Sequence, residues 1–382
     1  MQVIRRDIHA HPELSFEEFR TSALVAEKLQ EWGITILQGL AGTGVVGVIR
    51  RGQSHRAIGL RADMDALPMQ EVNEFAHTSQ HPGKMHSCGH DGHTAMLLSA
   101  AHYLQKFGHF DGTVYLIFQP AEEGGGGAEV MISQGLFEKC PVDAVFGMHN
   151  WPGIPVGHFA LKSGAMMASA NEFALKISGK GAHAAQPQMG IDPIMVAVHI
   201  AQAWQTIVSR QINPLASAVL SITQIHAGSA TNVIADEAIM VGTVRTFDGA
   251  VLDEIEKRMQ SMARHTAEAY GASVDFRFTR NYPALINHEK ETQLATEVLQ
   301  KMVGEAQVNT KVEASMGAED FAFMLQAKPG CYVFIGNGDG DHRSLGHGLG
   351  PCNLHNPSYD FNDALLPLGA SYWVNLAESF LS

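Results

Sequence analysis

Four short apolar runs constrain this chain more than any other feature: VVGVIR (45–50), AIGLRAD (57–63), TVYLIFQ (113–119) and AVFGMHN (144–150). Their apolar character is too continuous for strands with one wet face, which predicts a sheet covered on both sides. Between them, His93–Gln105 is rich in Ala and Leu and reads as a helix. Strand–helix alternation of this kind predicts an α/β layer, a central mixed sheet flanked by helices. One stretch, GTGVVG (42–47), fits a dinucleotide-binding pattern with Asp63 at about the right distance. Its glycines lead into a strand, so no helix N-terminus is available for a pyrophosphate, and that reading is rejected.

The middle of the chain changes pattern. A strand at 170–179 is followed by Asp192 and Pro193, an N-cap and first-turn pair for a helix with Ala197, Ile200, Trp204 and Ile207 on one face. Strands at 217–228 and 238–247, a helix striped with Leu252, Ile255, Met259 and Met262, and a strand at 272–282 complete the set. The order β-α-β-β-α-β is that of a ferredoxin-like sandwich. It predicts a domain inserted at 165–279 into a catalytic domain made of 1–164 and 280–382. The last hundred residues return to a helix (289–303), a strand CYVFIG (331–336) and a Gly-rich loop carrying His342, His347 and His355.

Chemistry-bearing residues gather where the predicted strands end. Asp63 and Asp65 close AIGLRAD, Glu122 and Glu123 follow TVYLIFQPA, His149 ends AVFGMHN, and His355 follows CYVFIG. Cys88 and His90 lie in MHSCGHDGH (85–93), just ahead of the helix. In an open α/β sheet the carboxyl ends of the strands form the ligand-binding rim. Chance would scatter such residues over both ends of the sheet. Imidazole and thiolate suit Zn²⁺ and its neighbours and carboxylate suits Mn²⁺ as well, so a pair of divalent ions fits and their identity stays open. Neighbouring glutamates in extended chain point opposite ways, so one of Glu122 and Glu123 could bind metal while the other faces substrate as general base. His86 and His93 read as structural. Taken alone, Glu122–Glu123 could be an acidic helix start and Cys88 an inert thiol; the shared rim argues against both.

Ten motifs occur here in the order of a known family: RRDIHAHPELSFEE (5–18), RADMDALP (61–68), MHSCGHDGH (85–93), FQPAEEGGGGA (118–128), GMHN (147–150), GKGAHAAQP (179–187), GSATNVIAD (228–236), GTVRTF (242–247), GAEDF (317–321) and LHNP (354–357). The chain resembles the hippurate hydrolases and auxin-conjugate (indole-acetyl amino acid) hydrolases of the aminoacylase–carboxypeptidase group of dimetal amidohydrolases. The resemblance implies metal ligands at Cys88, His90, Glu123, His149 and His355, with the Cys88 thiolate bridging two divalent ions, Mn or Zn, with Co or Ni also fitting. It implies Glu122 as general base and acid, and Asp65 as the acid that orients a ligand. It implies that His183, Asn232 and Arg245 hold the substrate from the inserted lid, His183 in its own site or in a partner's. A homodimer or homotetramer joined through that lid domain is the implied assembly.

The function expected is hydrolysis of N-acyl amino acids to a carboxylic acid and an amino acid. A dipeptidase using the same machinery would need a site for a free amino group. A non-catalytic metal-binding homologue would have no use for Glu122 beside Glu123. The formal charge of −13 argues against a broad grip on nucleic acid or anionic lipid. Four scattered cysteines are no disulfide framework, and no apolar run approaches a membrane span or a signal h-region, which reads as a cytoplasmic protein.

Overall fold

Every residue of Ala57–Asp63 is buried in the computed structural model, which describes residues 1–382. The strand, β3, has neighbours on both sides and layers on both faces, as its continuous apolar character requires. With it run β1 (Thr35–Leu40), β2 (Gly44–Arg51), β4 (Gly112–Gln119), β5 (Ala144–Pro152) and β6 (Phe159–Ala160). Together with Val308–Asn309 and Gly330–Gly338 they make an eight-stranded mixed sheet, ordered β1-β2-β4-β3-β5, then Gly330–Gly338, β6 and Val308–Asn309. Strand β3 pairs in parallel with β4 and with β5, and β5 pairs in parallel with Gly330–Gly338, so four adjacent strands end at one rim. Strand β2 pairs antiparallel with both β1 and β4.

Helices cover this sheet. α1 (Gln2–Ala10) and α2 (Phe19–Glu31) precede it, and α3 (His90–Phe107) buries Leu97, Leu98, Ala101 and Leu104 in one core with Trp373 and Leu376 of Leu365–Phe380. α3 begins three residues earlier than its Ala/Leu pattern suggests, which places His90 and Asp91 in its first turn. Gly89 precedes it at φ 94°, and a Cβ there would lie 2.2 Å from Asn150 Oδ1 and 2.7 Å from the Tyr359 hydroxyl. The turn between Cys88 and His90 therefore demands glycine twice, for its backbone angle and for space.

The chain divides into two compact units, and the second comprises Met167–Leu285 with Ala314–Glu319. Its antiparallel sheet is ordered Ala218–Ala227, Glu237–Thr246, Ala170–Ser178, Ser273–Tyr282. Helices Pro193–Thr206 and Gly249–Ala269 bury Val196, Ile200, Trp204, Ile255 and Met259 against Phe173, Leu175 and Ile177. Asp192 and Asp248 cap these helices, accepting from the backbone N–H groups of Ile194 and Ala250 at 2.9 and 2.8 Å. A two-stranded ribbon pairs Ala182–His183 with Val233–Ile234. Beside the expected span 165–279, the unit begins at Met167, runs on to Leu285 and takes in 314–319, where the carbonyls of Ser315 and Gly317 both lie 3.0 Å from the Ala168 N–H. No helix is long and apolar enough to cross a membrane.

Candidate metal centre

The four parallel strand ends carry the candidates to one place. The ligand atoms of Cys88, His90 and His149 lie within 4.8 Å of one another, and so do those of Cys88, Glu123 and His355. Cys88 belongs to both groups, the position a bridging thiolate would need. Its Sγ lies 3.3 Å from His149 Nε2, while His149 Nδ1 donates to the Asn150 carbonyl at 2.7 Å. That second bond puts the ring proton on Nδ1 and leaves the Nε2 lone pair facing the cluster.

Asp65 holds two of the other groups. One of its oxygens lies 3.2 Å from His90 Nδ1; the second accepts from the Glu123 N–H at 2.9 Å and the Ser15 hydroxyl at 3.0 Å. His90 Nε2 and Glu123 Oε1 thereby face each other at 4.0 Å. Both atoms are buried without a hydrogen-bond partner; His355 Nε2 comes within 3.2 Å of Glu123 Oε1 but not in hydrogen-bond alignment. Orphaned buried polar atoms are costly. Two ligands of one tetrahedral ion, with bonds of about 2.0–2.2 Å, stand about 3.3–3.6 Å apart, so a few tenths of an ångström of side-chain closure would let these two share a cation.

The charges agree. Burial opposes a charge on His90, yet Asp63 and Asp65 raise its pKa to about 10. Burial, and then the Glu123 and Glu122 carboxylates, push the Cys88 thiol well above its ordinary range. Burial and the neighbouring His93 hold His149 well below the usual imidazole range. The pocket is thus a buried concentration of carboxylates that retains protons in the absence of a cation.

Glu122 and Glu123 correct one expectation. The chain is not extended here: both residues lie in a turn after Ala121, which has φ 55°, so strand alternation does not set their directions. Both carboxylates come within 4.8 Å of the His90 ligand atom. Their difference lies in company, since Glu123 also joins Cys88 and His355 whereas Glu122 does not. His355 is likewise held at φ 57°, its N–H bonded to the Ser87 carbonyl at 2.8 Å. Non-glycine residues at positive φ store strain that surrounding structure must hold.

His183, Asn232 and Arg245 all lie in the second unit. His183 pairs with Val233 in the ribbon, the Asn232 carbonyl accepts from the Ala184 N–H at 3.0 Å, and both residues are exposed. Arg245 stands on Glu237–Thr246, paired with Val219; burial lowers its pKa and Glu172 opposes that shift.

Several supporting residues escape a reading of the sequence. His93, which reads as merely structural, bonds Asp63 through Nδ1 at 2.6 Å and Asn150 through Nε2 at 2.7 Å. Arg61 is wholly buried and pairs with Asp63 at 2.6 Å and Asp320 at 3.0 Å. In α1, buried Arg5 contacts Asp91 at 2.9 Å and also Asp360, while His9 bridges Asp91 and Glu71 at 2.9 and 3.2 Å. Glu18 accepts from the Ala121 N–H at 2.9 Å and the Thr43 hydroxyl at 2.6 Å, and burial pushes its pKa up to about 7. The available signal is charge inside an apolar run: Arg61 in AIGLRAD must find counter-charge if that strand is covered on both faces.

Known proteins extend this geometry. The model of peptidase family M20/M25/M40 matches residues 59–379. A hippurate hydrolase from Campylobacter jejuni is 41% identical over 378 residues, covering 99% of this chain and 96% of its own. An N-acetyl-L-cysteine deacetylase from Bacillus subtilis is 41% identical over 372 residues, covering 97% of this chain and 85% of its own. Among solved structures, a Bacillus subtilis protein described as a dinuclear metal binding peptidase of the M20 family superposes with a TM-score of 0.84 at 35% identity, covering 100% of this chain and 97% of its own. With a family match across most of its length and relatives above 40% identity at nearly full coverage, this chain belongs to peptidase family M20/M25/M40.

Proposed function

We propose that the chain is a metal-dependent amidohydrolase that cleaves N-acyl amino acids: R–CO–NH–CHR′–COO⁻ and water give R–COO⁻ and the free amino acid. The observation that carries the reading is the pair of ligand groups sharing Cys88, with buried His90 Nε2 and Glu123 Oε1 facing each other and making no hydrogen bond. The names of the relatives, a hippurate hydrolase and an N-acetyl-L-cysteine deacetylase, support the same substrate class.

Cys88, His90, Glu123, His149 and His355 would hold two divalent cations, and Asp65 orients His90 and Glu123 for them. Such ions, when bound, acidify a water and polarise the amide carbonyl. Glu122, buried beside His90, takes a proton from the water as its oxygen adds to the carbonyl carbon. It then delivers that proton to the amide nitrogen as the C–N bond breaks, and the amine departs neutral before taking up a proton from solvent. Donor identity suits Mn or Zn, with Co or Ni also accommodated.

The second unit is, in this proposal, a ferredoxin-like lid and dimerisation domain spanning about residues 165–279. Its strand and helix order support the topology, and the exposed stretch of Ala218–Ala227 at the sheet edge supports a homodimer or homotetramer. His183 and Asn232 hold the substrate, with His183 serving its own site or a partner's. Arg245 is partly buried and feels the Glu172 carboxylate without a salt bridge to it, and its planar fork can receive the substrate carboxylate through two parallel bonds. The test is glycine release from hippurate by metal-loaded protein, beside dipeptides and hippuramide, which lacks the carboxylate. Hippurate should be cleaved and hippuramide far more slowly. Equal kcat/KM for the two would refute carboxylate recognition, and exclusive cleavage of dipeptides would replace the reading with a dipeptidase.

A further inference from the structure

Strand β5 carries two residues on one face at its carboxyl end, His149 and Trp151, because side chains alternate along a strand. His149 belongs to the metal-ligand group. Trp151 lies beyond it, its ring centroid 6.1 Å from the imidazole in an edge-to-face arrangement. Phe334, which stands opposite His149 in the neighbouring strand, stacks on the indole at 4.1 Å with an interplanar angle of 26°. Phe334 is 1% exposed, whereas Trp151 keeps part of its surface open.

The surroundings hold this ring in place. Gly336, the register partner of Trp151, contributes no side chain. A Cβ there would come within 2.1 Å of the Pro155 carbonyl oxygen, so glycine lets the loop after β5 turn back over the neighbouring strand. The turn is bonded at both ends: the Gly153 N–H donates to the Gly338 carbonyl at 3.2 Å, and the Gly336 N–H to the His158 carbonyl at 2.9 Å. A large flat side chain, backed by a buried aromatic and left partly open beside a metal-ligating imidazole, is a preformed surface for another flat ring.

We infer that Trp151 is the wall of the acyl subsite and selects aromatic acyl groups, so that aroyl amino acids are the substrate class favoured over short aliphatic ones. This rests on the amidohydrolase reading above. In any amide attacked at the rim, the acyl carbon bears both the reacting carbonyl and the acyl group, so that group must lie within a few ångströms of the ligand cluster. Trp151 is within that reach.

The experiment compares benzoylglycine with acetylglycine as a ratio of kcat/KM, in the wild-type protein and in Trp151→Leu and Trp151→Phe, with metal content measured in each. Trp151→Leu should lower the benzoyl-to-acetyl ratio about tenfold, and Trp151→Phe should restore most of it. An unchanged ratio overturns the inference, including the case in which both rates fall with metal content because Trp151 merely props His149. A second readout needs no turnover: 4-nitrobenzoylglycine, whose nitroaromatic ring quenches indole emission on contact, should quench saturably in the wild type and not in Trp151→Phe. The other three tryptophans contribute background only: Trp204 and Trp373 are buried, and Trp32 packs on His102, about three helical turns along α3 from His90. If no amide is cleaved at all, the proposed function fails and the quenching alone decides; absence of saturable quenching then overturns the inference too.

Discussion

Replacing Asp65 by Asn exchanges one oxygen for an NH₂ group and leaves shape almost untouched, yet it should disable the centre. The carboxylate, 1% exposed, serves three donors: His90 Nδ1 at 3.2 Å, the Glu123 N–H at 2.9 Å and the Ser15 hydroxyl at 3.0 Å. An amide can satisfy only one side. If its oxygen stays with Glu123 and Ser15, its NH₂ faces His90 Nδ1, which must then accept. In the neutral ring that metal binding requires, the one proton then sits on Nε2 and occupies the lone pair aimed at Glu123 Oε1. If the amide flips, its NH₂ meets the Glu123 N–H, and a buried donor is left unpaired at a cost of about 1–3 kcal/mol. Either way a ligand is lost or misaimed, and outer partners of this kind are worth about 10–100-fold in metal affinity, or about 1.4–2.7 kcal/mol. Competition with a chromophoric chelator for Zn²⁺ and Mn²⁺ measures this directly, with Ser15→Ala as a control expected to lose about 1 kcal/mol or less. A folded Asp65→Asn protein that binds both metals at wild-type affinity would refute the argument.

Three further outcomes follow from the same geometry. Glu122→Gln should lower the hydrolysis rate about 10²–10⁴-fold while retaining metal, and Glu123→Gln should lose metal; the opposite pattern would exchange their roles. Because His90 is raised to about 10 and the Cys88 thiol also lies high, the metal-free centre holds both protons at neutral pH. Filling it should release on the order of two protons and tighten as pH rises, read by calorimetry in buffers of different ionisation enthalpy; uptake without proton release would contradict this. Burial opposes the charge on His9, but Asp91 and Glu71 raise its folded pKa to about 9, above the ordinary 6.5. The proton favours the folded state, so that stabilisation is complete below about pH 6.5 and lost as pH rises through 9. Thermal melts should show this slope and His9→Gln should flatten it; an equal slope in the variant would exclude His9.

Much of the rim can be read from the sequence, because it follows from where apolar runs stop. The run Ala57–Asp63 is a strand with the bounds its composition suggests, and Asp192 caps the helix it precedes. Cys88, His90, Glu123, His149 and His355 come together where four parallel strands end side by side, on those strands and on the turns that follow or face them. The Glu122–Glu123 turn is illegible, since a positive φ at Ala121 leaves no mark in an alanine. Arg5 and His9 are illegible for a different reason. On a short helix they look like an exposed polar face, and their partners Asp91 and Asp360 are remote in sequence. The span 314–319 escapes notice because backbone hydrogen bonds, which any residues can make, join it to Ala168.

The position of Gly330–Gly338 between β5 and β6 bears on how the protein is made. As the chain leaves the ribosome, β4, β3 and β5 can pair early, and Met167–Leu285 is synthesised complete soon after. Through all that time β5 presents an unpaired, apolar edge, a template for association with other nascent chains. Only when Gly330–Gly338 emerges is that edge closed, and His355 comes later still. Ribosome-stalled or truncated chains ending before Gly330 should therefore aggregate through β5, and the full ligand set exists only once His355 has been added.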